Sequence, residues 1–88
     1  MDDRLKKLRF RAWRRGFREI GLILGQFADQ RLHKLDQSGW EEFERLLDAS
    51  DQDVYAWITE QAFPPPAYDG PTLAAIRAFR HELAALPK

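Results

Sequence analysis

Apolar residues recur along this chain at spacings of three and four, which line up one face of an α-helix. No stretch of useful length alternates with the period of two that marks a strand. Asp3 to Trp13 places Leu5, Leu8 and Ala12 on one stripe, with Phe10 and Trp13 beside it. Asp2 or Asp3 can cap the free amides at its start, and Arg15-Gly16 marks a turn at its end. A second helix is predicted from about Phe17 to Leu32, with Ile20, Ile23, Leu24, Phe27 and Ala28 in register and Leu22 widening the apolar surface. It is the most hydrophobic element and is expected at the centre of the fold. His33 and Lys34 near its end suit the negative pole of the helix dipole.

Ser38-Gly39-Trp40-Glu41 has the spacing of a capping box and predicts a third helix with Trp40, Phe43, Leu46 and Leu47 facing inward. Ser50 or Asp51 is expected to cap a short fourth helix carrying Val54, Trp57 and Ile58, ended by Pro64-Pro65-Pro66. Pro71, after Gly70, suits the first turn of a fifth. Its stripe is Leu73, Ile76, Phe79 (or Arg80), Leu83 and Leu86. The expectation is an all-α, compact five-helix bundle, one domain over residues 1–88 with its core between about residues 4 and 86.

Length and composition narrow this picture. At 88 residues there is room for one domain, and a domain of this size buries only about 60% of its unfolded surface. An enclosed substrate cavity has little room. Hydrophobic residues at 44% and charged residues at 32% argue against wholesale disorder. There is no cysteine, which removes disulfides, thiolate nucleophiles and cysteine-based metal sites together. The mostly apolar run Ile20 to Ala28 falls far short of the roughly 20 residues that span a bilayer, so no membrane role is expected. The acidic start, Met1-Asp2-Asp3, has the character of neither a secretory signal nor a transit sequence, and a cytosolic setting is the expectation.

Net charge is zero, yet the first eighteen residues hold Arg4, Lys6, Lys7, Arg9, Arg11, Arg14, Arg15 and Arg18 against Asp2 and Asp3. A basic head on an acidic body suits oriented docking better than uniform polyanion binding. Catalytic templates fail for want of parts. His33 and His81 stand alone, so no local two-histidine metal site forms. Ser38 and Ser50 sit at helix starts, where serine caps, and not in a nucleophile elbow. Asp48, Asp51 and Asp53 lack the glycine and the final acid of a calcium loop, and capping accounts for them better. Gly16, Gly21 and Gly25 have neither the preceding strand nor the Gly-Lys-Ser/Thr ending of a phosphate loop. Gly21 and Gly25 would instead admit close packing. No catalytic residue and no metal ligand is assigned.

One stretch stands out. Residues 9–19 hold five arginines, three aromatics, a glycine and a carboxylate around a helix–helix junction. Arginine outnumbers lysine there five to none, and arginine is favoured where planar, bidentate recognition is needed. Glu19 follows Gly16 by three positions, in the first turn of the second helix, where it can cap, accept from Arg15 or meet a partner's cation. Gly16 lets another surface approach the backbone. The bland account is a solvated basic face with Phe10, Trp13 and Phe17 in the core.

Arg15-Gly16-Phe17-Arg18-Glu19 resembles the Arg-Gly-x-x-Glu signature of the succinate dehydrogenase flavinylation (FAD assembly) factor family, of the bacterial type. The likeness continues through Ile20 to Ala28, the leucine-rich Phe43 to Leu47, and Asp51-Gln52-Asp53 with Tyr55 and Trp57, covering residues 4 to 80. Gly21 stands where the family commonly has aspartate, and Gln52 where proline is common. The resemblance implies a small helical assembly factor or chaperone that binds the flavoprotein subunit of succinate dehydrogenase, and often of fumarate reductase. It implies that the chain promotes covalent attachment of FAD to a histidine of that subunit. The FAD belongs to the partner, and no stably bound cofactor is expected here. Arg15, Gly16 and Glu19 would form the centre of the contact, with Arg11, Arg14 and Phe17 around it. The setting implied is bacterial cytosol or mitochondrial matrix, the bacterial cytosol being favoured, with the free chain monomeric. Two other readings remain. The interleaved arginines and aromatics also suit single-stranded nucleic acid, opposed by the acidic body, the zero net charge and the expected burial of Phe10 and Trp13. A regulatory module binding an unrelated protein would share the fold.

Overall fold

The structure, a computed structural model, describes residues 3–85. Among these residues five α-helices follow one another: α1 (Asp3–Trp13), α2 (Arg18–Arg31), α3 (Gln37–Asp48), α4 (Asp51–Ile58) and α5 (Pro71–Ala85). A single 3-10 turn, Leu32–Lys34, extends α2. No strand occurs among the described residues. The all-α expectation holds. Asp2, expected as a cap, and Leu86, expected at the end of the α5 stripe, lie outside the described residues.

The core follows the predicted stripes. Leu8 and Ala12 of α1 meet Ile20, Leu24 and Phe27 of α2, and Phe43, Val54, Ile58, Ile76 and Phe79 close the cluster. Phe27 occupies its centre. Its ring lies 5.8 Å from Phe43 and 5.6 Å edge-on to Phe79, so three helices share one aromatic contact. Dense burial of this kind supplies most of the stability of a chain without disulfides.

Two boundaries and one cap bond differ from the sequence expectation, each for a local reason. Helix α3 begins one residue before Ser38, because Asp36 is its N-cap and accepts from the Gly39 amide at 2.9 Å. The capping box anticipated at Ser38 is therefore not used. Helix α4 starts after Ser50, whose side chain makes no cap bond, while Asp51 directs its carboxylate elsewhere. The same helix ends before the three prolines: Glu60 takes a left-handed conformation (φ 63°), and the Gln61 amide bonds back to the Ala56 carbonyl at 2.8 Å. A left-handed residue terminates a helix by satisfying its last carbonyls, so the prolines are not needed for the stop.

The core expectation fails for two aromatics. Phe10 is 63% exposed and Trp13 42% exposed. Phe10 sits off the Leu5–Leu8–Ala12 stripe, and one helix face cannot bury both. The Trp13 indole lies flat on α2 at Gly25, where a Cβ would fall within the ring. Gly25 thus provides the close packing expected of it. The indole nitrogen donates to Asp29 Oδ1 at 3.3 Å, and the same oxygen accepts from Arg9 Nε at 3.0 Å.

Candidate functional site

The turn between α1 and α2 runs through Arg14, Arg15, Gly16 and Phe17. Gly16 offers an unobstructed backbone, and Phe17, in extended conformation at the N-cap, supplies no capping side chain. What holds the turn comes from α4. Asp51 Oδ2 accepts from the Gly16 amide at 2.6 Å, and its Oδ1 lies 3.4 Å from Arg15 Nη1. Arg15 Nη1 also donates to the Leu47 carbonyl at 3.0 Å. One turn further along α4, Tyr55 receives the Phe17 ring edge-on, with ring centres 5.2 Å apart.

The five arginines of residues 9–19 therefore fall into two groups. Arg11 and Arg15 are turned toward the body. Arg11 Nη2 reaches Asp48 Oδ1 at 2.5 Å, and the Arg15 side chain is only 12% exposed. Arg9 binds Asp29. Arg14 and Arg18 face solvent. Arg14 lies over the exposed Phe10 ring, 4.9 Å from its centre, a cation–π contact that keeps the charge outward. Arg18 has no hydrogen bond or ion pair to another described residue. Glu19 is exposed and its carboxylate is likewise without a partner among the described residues. Gly16 is exposed too.

Of the six residues singled out from the sequence, the fold brings Arg14, Gly16 and Glu19 to one open corner. Phe17 lies half-buried beneath it, and Arg11 and Arg15 are held by internal partners. The Arg15–Glu19 contact open to the sequence is not made. Three residues not assigned to the site belong beside it. Trp13, Arg18 and Leu22 line a shallow depression of about 300 Å³ together with Arg15, Gly16, Phe17 and Gly21. A second depression of about 300 Å³, lined by Lys6, Arg9, Phe10, Trp13 and Asp29, adjoins it across the Trp13 ring. The result is a basic surface with three exposed apolar side chains, Phe10, Trp13 and Leu22. The available signal was position: Phe10 and Leu22 lie off the buried stripes of their helices. Among the described residues no group of three or more His, Asp or Glu is placed to hold a metal ion.

The corner offers an exposed glycine whose amide is held by Asp51, an unpaired carboxylate, two outward guanidinium groups and an indole. These are the components of a protein–protein contact, in which aromatic and arginine side chains carry most of the energy. No helix among the described residues is long and apolar enough to cross a membrane.

Residues 6–80 match the family model described as flavinator of succinate dehydrogenase. A protein named succinate dehydrogenase assembly factor 2, mitochondrial, from Dictyostelium discoideum is 33% identical over 72 residues, covering 82% of this chain and 51% of that protein. Its namesake from Arabidopsis thaliana is 32% identical over 63 residues, covering 72% of this chain and 34% of the relative. The one from Danio rerio is 28% identical over 81 residues, covering 90% and 51%. The chain thus spans about a third to a half of the length of these curated relatives. With the family model covering all five helices in part or whole, the chain belongs to the succinate dehydrogenase flavinator family.

Proposed function

We propose that the chain is an assembly factor that binds the flavoprotein subunit of succinate dehydrogenase and promotes covalent attachment of FAD to it. It supplies no reacting group. Both the flavin and the histidine that accepts it belong to the partner. A binding protein can still accelerate such a step by holding the flavoprotein in the conformation where ring and histidine are aligned. The observation that carries the reading is the open corner. Gly16 is exposed with its amide held by Asp51, Glu19 is exposed with its carboxylate unpartnered among the described residues, and Arg18, Trp13 and Leu22 line the depression at Gly16, in a chain of this family. Loss of one central arginine at such a contact typically costs about 2 kcal/mol of binding energy. The encounter takes place wherever that subunit acquires its flavin. We read this as the bacterial cytosol, whereas the relatives compared above are named as mitochondrial.

The test is co-expression of the chain with the flavoprotein subunit in cells lacking any other such factor, with covalent flavin read by fluorescence after denaturing electrophoresis. Gly16→Arg, which puts a long cation where a Cβ already lies 3.0 Å from Asp51 Oδ2, and Glu19→Ala both abolish the signal. Helical content stays at the wild-type level. Normal covalent flavin with either variant refutes the assignment.

Single-stranded nucleic acid is the second reading, and the exposure of Phe10 and Trp13 favours it, since exposed aromatics can stack on bases. Against it, Arg14 already covers Phe10, Asp29 sits beside Trp13, and the net charge is zero. A labelled oligonucleotide titrated at rising salt separates the two. Tight binding that weakens steeply with salt favours nucleic acid. The docking reading expects no such binding.

A further inference from the structure

We infer that Asp51 and Arg15 are positioning residues: together they latch the Arg15–Gly16 peptide onto α4 and so fix where Gly16 and Glu19 meet the partner. This rests on the docking reading above and divides its residues into those that touch and those that hold. The Asp51 carboxylate divides its two oxygens between neighbouring residues, Oδ2 taking the Gly16 amide at 2.6 Å and Oδ1 facing the Arg15 guanidinium Nη1 at 3.4 Å. Arg15 closes the loop through the Leu47 carbonyl at 3.0 Å, the last turn of α3. Tyr55, four residues beyond Asp51 on the same helix face, holds Phe17. Three consecutive residues of the corner are thus gripped by one face of α4 and the end of α3.

Such a grip has a consequence for recognition. Gly16 can present only backbone, and Glu19 projects from the first turn immediately after it. Their position is therefore set by the chain path, which the latch defines. A short bond between a carboxylate and an amide is charge-assisted and stronger than a neutral one. The Asp51 side chain is half-buried, 24% exposed. Arg15 has its side chain largely covered and cannot be the chief contact cation. Arg14 and Arg18 are outward and take that part.

The test pairs Asp51→Ala and Asp51→Asn with Glu42→Ala as a stability-matched control. Glu42 accepts from the Thr72 amide at 3.0 Å and touches no corner residue. Affinity for the purified flavoprotein subunit is measured well below each melting midpoint, and the Gly16 amide is followed by NMR hydrogen exchange. We expect Asp51→Ala to expose that amide to exchange and to weaken affinity about tenfold, the scale set by a small misplacement of contact groups. Asn retains an acceptor for the amide but not the charge facing Arg15, so Asp51→Asn weakens affinity less. Glu42→Ala leaves affinity unchanged. An equal loss for Glu42→Ala and Asp51→Ala makes the effect one of general stability and overturns the latch. So does unchanged affinity when the Gly16 amide is exposed. Glu19→Ala, run alongside, keeps the two ideas apart. If it loses flavin attachment while the Asp51 variants keep it, the latch alone fails; if it too is normal, the docking reading fails and the latch with it. Should Asp51→Ala not fold, Asp51→Asn carries the same criteria.

Discussion

Two helix starts in this molecule use the same device. At α5, the Glu42 carboxylate of α3 accepts from the Thr72 amide at 3.0 Å, and Gly70 leaves room for it. At α2, the Asp51 carboxylate of α4 accepts from the Gly16 amide at 2.6 Å, and Gly16 itself leaves the room. In both, an acid on a neighbouring helix takes an amide at the entry to a helix, Thr72 in the first turn of α5 and Gly16 just ahead of the α2 N-cap Phe17. The surroundings differ. Thr72 is 2% exposed and its hydroxyl bonds the Gly39 carbonyl, so the α5 start is sealed against the body. The α2 start lies open, with Arg14, Arg18, Glu19 and Trp13 around it. One clamp closes the fold, and the other presents a surface. On the proposed docking reading, what makes the α2 start a recognition element is what is left unpaired beside it, since the clamp is common to both.

The contrast can be broken at several points. The largest expected change in stability comes from Glu42→Ala. It strands a buried amide and lowers the unfolding free energy by about 1–3 kcal/mol, read by urea titration. Flavin attachment is untouched while the protein is folded. Next comes the glycine pair. At Gly70 a Cβ would meet the Glu42 carboxylate at 2.9, 3.2 and 3.3 Å, whereas at Gly16 it would press on one oxygen of Asp51 at 3.0 Å. Gly70→Ala is therefore expected to cost about 1 kcal/mol. Gly16→Ala costs less in thermal melting but weakens flavoprotein binding, which Gly70→Ala does not. The smallest stability effect belongs to Phe10→Ser, within about 0.5 kcal/mol because the ring is exposed. Its signature is weaker binding to the flavoprotein subunit by calorimetry. Unchanged binding would remove Phe10 from the surface.

Much of this was legible in the chain. The stripes Leu5–Leu8–Ala12 and Ile20–Ile23–Leu24–Phe27 were readable because helical periodicity depends only on near neighbours. The start of α5 at Pro71 followed from local chemistry in the same way. Ser38 and Asp51 were misjudged for the opposite reason. Each has the right side chain for a cap, but Asp36 reached the α3 amide first, and Asp51 met a stronger partner in Gly16. Phe10 and Trp13 look like core by type. Only the packing of α1 on α2 shows that the stripe was already filled by Leu8 and Ala12.

The helical class, the basic head and the motif at the α1–α2 corner are written in short-range spacing, so the chain alone specifies them. Which arginines turn inward is another matter. Asp51 lies thirty-five residues from Gly16, and Glu42 thirty from Thr72. Such pairs form only when helices dock, because the energy of a carboxylate–amide bond depends on distances that no local pattern encodes. The pairing of Arg11 and Arg15 with carboxylates of α3 and α4, while Arg14 and Arg18 face solvent, is therefore a product of packing.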